Sequence, residues 1–119
     1  MADRHILVVD DERQSADLLK LVLESSDAER TIEVAYDGVQ AVDKARAQRP
    51  DVVIMDLEMP RMDGEDAASL IAEVYARNPP LLIALSGNVL RLSALEGRGP
   101  FQHRLRKPVD FDRLMALVE

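Results

Sequence analysis

At 119 residues, with 47% apolar and 31% charged side chains, the chain has the balance of one globular domain, too short for two cores and too apolar for disorder. It has no cysteine, which excludes disulfides and thiolate chemistry and makes a reducing cytosol the natural compartment. The formal net charge of −7 argues against nonspecific nucleic-acid binding, and no apolar stretch approaches the roughly 20 residues of a membrane span.

The first apolar run, HILVV at 5–9, predicts a strand, and the short, quickly acidic opening MADRHILVVD does not read as a signal peptide. A helix is predicted over 12–24, with Leu18, Leu19, Val22 and Leu23 as its apolar face. TIEVA at 31–35 alternates, as a peripheral strand does, and a helix over 38–48 follows with Val39, Val42 and Ala45 recurring. VVIM at 52–55 and LLIAL at 81–85 are continuous in apolar residues, which suits central parallel strands, and a helix over 64–77 separates them. Helices over 88–96 and 110–118 flank a weak, polar fifth run, FQHRL at 101–105. Pro, Gly and Asp mark the joints at 36–38, 49–51 and 78–80. Five β–α units in one chain predict an α/β sandwich, a parallel sheet covered on both faces, as a single domain over 1–119.

Ligands of open α/β sheets bind beyond the carboxyl ends of the strands. Here the first run ends in Asp10-Asp11, the third in Asp56, the fourth in Ser86-Gly87-Asn88, and the fifth in Arg106-Lys107-Pro108. Taken singly, an Asp pair before a helix reads equally well as a cap, and a lone Ser86 or Asn88 reads better as one. Together they place three carboxylates, a hydroxyl and an ammonium on one edge. Clustered carboxylates raise one another's pKa unless a cation intervenes. Oxygen donors suit a hard ion, and with no cysteine and only His5 and His103, zinc does not fit. Mg²⁺ takes one or two carboxylates and favours phosphate, so the fitting chemistry is phosphoryl transfer to or from a carboxylate.

The motifs VVDDE at 8–12, DLEMPRMDG at 56–64, SG at 86–87 and KP at 107–108 resemble the receiver domain of two-component response regulators, over nearly the whole chain. The resemblance implies a flavodoxin-like (βα)5 three-layer sandwich with a parallel five-stranded sheet of order 2-1-3-4-5. It implies Asp56 as phosphate acceptor. Mg²⁺ would be held by Asp11, Asp56 and the main-chain carbonyl of Glu58, with Asp10 acting through water. Ser86 and Lys107 would contact phosphoryl oxygens, and the Lys107–Pro108 bond would be cis. The implied donor is a phosphohistidine on a sensor histidine kinase or histidine phosphotransfer protein, and the domain would catalyse only its own phosphorylation and dephosphorylation.

The chain departs from the family at Arg104, where an aromatic switch residue is usual, with Phe101 and His103 out of register. Glu58 stands two residues after the acceptor, where a carboxylate could orient or repel an attacking water or be a plain surface residue. Charge is also uneven: residues 1–90 carry 9 Lys/Arg against 18 Asp/Glu, and residues 91–119 carry 6 against 4. Arg91, Arg104, Arg106 and Arg113, with Arg98, therefore form an expected partner face for an acidic downstream protein. Two other readings stand beside this one: a degenerate receiver that binds partners without phosphorylation, and a haloacid-dehalogenase-like phosphohydrolase, which generally wants Asp where this chain has Glu58. Without an effector after residue 119, a stand-alone regulator and a receiver from a larger protein are both expected.

Overall fold

Strands and helices alternate strictly along residues 4–25 and 29–119, the residues described by the computed structural model; residues 1–3 and 26–28 of the predicted domain lie outside them. The elements are β1 (Arg4–Val9), α1 (Arg13–Glu24), β2 (Arg30–Ala35), α2 (Gly38–Ala47), β3 (Val52–Asp56), α3 (Gly64–Val74), β4 (Leu81–Ser86), α4 (Val89–Ala94), β5 (His103–Arg106) and α5 (Phe111–Val118). The strands form one parallel sheet in the order β2-β1-β3-β4-β5, so the three continuous apolar runs are central and the alternating second and polar fifth runs are edges. This is the flavodoxin-like (βα)5 arrangement.

Side chains alternate across a strand, and both faces of β1, β3 and β4 are apolar because both are covered. Ile6, Val8, Ile54, Ile83 and Leu85 pack on Leu19 and Leu23 of α1 and on Leu114 and Val118 of α5. Leu7, Val9, Val53, Met55 and Ala84 face the other way, onto α2, α3 and Leu92 of α4. The central strands are thus buried on both sides, and only their carboxyl ends are left for chemistry.

The structure moves several predicted boundaries. Helix α1 buries Ala16, Leu19 and Leu23, while Leu18 stays half exposed, so its inner face is narrower than expected. In α2 the buried line is Gly38, Ala41, Val42 and Ala45, and Val39 points outward. Helix α3 stops at Val74, three residues early, because Tyr75 leaves helical geometry and donates its hydroxyl to Ala45 O at 2.5 Å. Strand β5 begins at His103, since Phe101 turns in to join the core cluster under α4. The short α4 and the turn after it, with Gly97 and Gly99 at φ 73° and 70°, deliver Phe101 to that position.

Candidate functional site

Strand register assembles the site. Val9 pairs with Met55, so Asp10, the next residue, comes level with Asp56; Asp56 pairs with Leu85, and Ser86 with Arg106. The Lys107 N–H then donates to Ser86 O at 2.9 Å, extending the ladder by one residue. Alternation sorts the side chains by face. Asp56 follows Ile54 toward the α1/α5 side, as Lys107 follows Leu105, whereas Ser86 follows Ala84 toward α4.

On the α1/α5 side the Lys107 ammonium donates to Asp56 Oδ1 at 2.9 Å and lies 3.7 Å from Asp10 Oδ2. The Lys107–Pro108 peptide bond is cis. Asp10 and Asp56 are each 2% exposed, while Asp11 is exposed. Asp10 also accepts from Glu12 N–H at 2.9 Å, closing the turn into α1; Glu12, the residue before that helix, makes no side-chain cap. Carboxylate oxygens of Asp10, Asp11 and Asp56 lie within 4.8 Å of one another.

One lysine does not balance this cluster. Burial pushes the Asp56 carboxyl up from 3.8 to about 6; the Lys107 hydrogen bond and charge oppose this, and the charges of Asp10 and Glu58 add to it. Asp10 is also raised, chiefly by burial, against its bond from Glu12 N–H and the charge of Lys107. Burial lowers the Lys107 ammonium, but Asp56, then Asp10 and Glu58, outweigh that and carry it upward. An edge with three converging oxygen donors and too little positive charge fits a hard divalent cation.

On the α4 side, Ser86 Oγ donates to Glu58 Oε1 at 2.7 Å and accepts from Asn88 N–H at 2.9 Å. Glu58 Oε2 accepts from Arg91 Nη1 at 2.9 Å, and Arg91 Nη2 donates to Asp63 Oδ2. Asn88 caps α4 by accepting from Arg91 N–H at 3.1 Å, which fixes where the arginine leaves the helix. Burial lowers the Arg91 guanidinium, but its bonds to Asp63 and Glu58 win and raise it.

The β3–α3 loop that carries Glu58 and Asp63 is braced at several points. Leu57 is fully buried, with its N–H on Leu85 O at 3.0 Å, and Gly64 N–H returns to Leu57 O at 3.0 Å. A Cβ at Gly64 would stand 2.2 Å from Asp56 O, so only glycine lets α3 start this close to the strand end. Arg61 takes φ 67° at the outer bend, with its guanidinium 3.3 Å from Asp37, the cap of α2.

The model of the response regulator receiver domain matches residues 6–119. This chain belongs to that family. A protein-glutamate methylesterase/protein-glutamine glutaminase of Geobacter metallireducens is 43% identical over 81 residues, 68% of this receiver but 22% of that protein. The receiver thus spans about a fifth of the length of the curated relatives it matches. Among solved structures, the signal receiver domain of a DNA-binding response regulator from Colwellia psychrerythraea is 30% identical with a TM-score of 0.85, covering 98% of this chain and 95% of that one. The receiver domain of a sensor histidine kinase from Pseudomonas aeruginosa is 28% identical with a TM-score of 0.81, covering 98% and 95%. That structure has a magnesium ion coordinated in the active-site cleft.

The receiver fold brings Asp10, Asp11, Asp56, Ser86 and Lys107 to one edge. The Glu58 side chain, considered from sequence only as a water-orienting or surface group, bonds directly to Ser86. Asp63 was missed; its only signal was its place just before Gly64 at the start of α3. Among the arginines of the expected partner face, Arg91 is committed to Glu58 and Asp63, with its side chain 23% exposed. Arg106 and Arg113 are exposed, and Arg104 is half-buried, donating to Phe101 O at 3.3 Å.

Proposed function

We propose that this receiver, over residues 1–119, accepts a phosphoryl group on Asp56 from a phosphohistidine donor in a two-component phosphorelay and changes its partner binding in response. The observation that carries this reading is the buried Asp56 carboxylate, hydrogen-bonded to Lys107 and flanked by Asp10 and Asp11 at the open end of β3. An Asp56 oxygen attacks phosphorus, the donor's P–N bond breaks, and the imidazole leaves with the electron pair and takes up a proton. Lys107 neutralises charge on Asp56 and on a phosphoryl oxygen. Ser86 supplies a hydrogen bond to another. Asp11, Asp56 and the main-chain carbonyl of Glu58 are the groups that would hold Mg²⁺, with Asp10 acting through water. Its charge would offset the repulsion between carboxylates and phosphoryl oxygens.

A groove of about 300 Å³ runs beside Asp10 and Lys107, lined by Leu18 and Leu19 of α1 and by Pro108, Val109 and Phe111. It supports docking of a sensor kinase or phosphotransfer protein next to the acceptor. For the downstream partner, Arg106 and Arg113, with Arg104 beside them, offer cations to an acidic surface; reversing Arg104 and Arg106 to Glu without loss of partner binding removes that assignment. A cytoplasmic setting agrees with such donors, and no helix among the described residues is long and apolar enough to cross a membrane.

The test is incubation with a small phosphodonor and Mg²⁺ followed by intact-mass measurement. One added phosphate that Asp56→Asn abolishes is the expected result. Repeated turnover of a phosphate ester would indicate a phosphohydrolase, and no modification a degenerate receiver acting through protein contacts alone.

A further inference from the structure

The Ser86 hydroxyl has one hydrogen to give. In this structure it is given to Glu58, and the oxygen's other side is taken by Asn88 N–H. A phosphoryl group on Asp56 that is to be bonded by Ser86 must therefore take that hydrogen from Glu58. The second Glu58 oxygen is held by Arg91, which is itself anchored to Asp63 at the start of α3. Two carboxylates, Glu58 and Asp63, tie the β3–α3 loop to the first turn of α4, and Glu58 also occupies the hydroxyl that the phosphoryl ligand needs.

Resting on the phosphoacceptor reading above, we propose that Glu58 competes with the phosphoryl group for the Ser86 hydroxyl. Arg91 is the positioning residue that sets the strength of this competition, by neutralising and holding Glu58. Phosphorylation then transfers the hydroxyl's hydrogen bond and releases Glu58 from Ser86, leaving Arg91 as its partner and Asp63 as the remaining tie between α4 and the β3–α3 loop. This path runs along β3–α3 and α4 and does not pass through position 104, where Arg104 is turned to the carbonyl of Phe101.

Removing the negative charge weakens the competitor: a hydrogen bond to a charged acceptor is roughly twice as strong as a neutral one. Removing Arg91 does the reverse, because an unneutralised Glu58 is a better acceptor for Ser86 and a stronger repellent of an anion. The measurement is the affinity of the full chain for beryllofluoride, a phosphoryl mimic, in saturating Mg²⁺. Glu58→Gln is expected to bind it roughly tenfold more tightly and Arg91→Gln several-fold more weakly. In the Glu58→Gln background, Arg91→Gln is expected to change the affinity by less than about twofold, since its effect runs through Glu58. The Asn88 amide resonance, which reports its bond to Ser86 Oγ, should be displaced in Glu58→Gln before any ligand is added, toward its mimic-bound position. An equal loss from Arg91→Gln in both backgrounds would show that Arg91 only anchors α4, and would overturn the inference. Failure of the unmodified chain to bind the mimic at all would overturn the phosphoacceptor reading, and this one with it.

Discussion

Lys107 reaches Asp56 from the far edge of the sheet: its ammonium is 2.9 Å from Asp56 Oδ1, although 51 positions separate the two in sequence. The contact exists because β4 lies between β3 and β5 and the two strand ends are in register. It is the only hydrogen bond to the Asp56 side chain among those resolved in the described residues. Lys107→Ala should therefore leave a buried carboxylate without its donor. A charged hydrogen bond at such a site is worth about 1.5–3 kcal/mol, so phosphorylation by a small donor should slow by roughly ten- to a hundredfold. Single-turnover kinetics followed by mass would show it, and an unchanged rate would remove Lys107 from the transfer step.

The charge of Asp56 works against the fold in the absence of a cation. Its folded value of about 6 lies above the ordinary 3.8, so the native state holds this proton more tightly than the unfolded chain does. The stability due to this group is therefore greatest below about pH 4, falls as pH rises through about 4 to 6, and is flat above. Asp56→Asn, which cannot ionise, should be the more stable protein at pH 7, by up to about 3 kcal/mol, with the gap closing toward pH 4. Urea unfolding of both proteins across that range, in chelator, checks the sign. A gap that widens on acidification would contradict the burial argument.

Divalent cation should reverse that penalty. Mg²⁺ bound to the native acid cluster and not to the unfolded chain stabilises by mass action, by about 2.7 kcal/mol at a hundred times its Kd. It should also lower the Asp56 midpoint, as an added positive charge does. Melting curves with and without Mg²⁺ should separate for the unmodified chain and converge for Asp10→Asn and Asp56→Asn. Equal stabilisation of all three would place the ion elsewhere.

Much of this site was legible in the sequence because strand ends carry it. Once all the apolar runs are taken as parallel strands of one sheet in register, Asp10, Asp56, Ser86 and Lys107 share an edge, whatever the helices do. The misjudged features depend on contacts that no local pattern encodes. Val39 fits a helical repeat, yet Gly38 and Ala41 take the inner line because small residues let α2 sit close. Tyr75 ends α3 through a bond to Ala45, 30 positions away. Arg91 looked like one more exposed cation, because nothing local announces that the Asn88 cap aims it at Glu58 and Asp63.

At Gly64 the fold and the site make the same demand. Its missing Cβ leaves room for the carbonyl of Asp56 and the Cα of Leu57, at 2.2 and 2.8 Å from where that atom would be, and both neighbours are backbone. Gly64→Ala must push the start of α3 away from the end of β3. That would break the Gly64 N–H to Leu57 O bond and carry Glu58 and Asp63 out of line with Arg91. A loss of about 2–4 kcal/mol in urea unfolding is expected, against the small gain that Gly→Ala gives in an unhindered helix. Cation affinity should fall as well, because the main-chain carbonyl of Glu58 moves with the loop. A variant as stable as the unmodified chain, with unchanged Mg²⁺ binding, would mean that the loop can relax around a methyl group and that this close approach is not what positions the site.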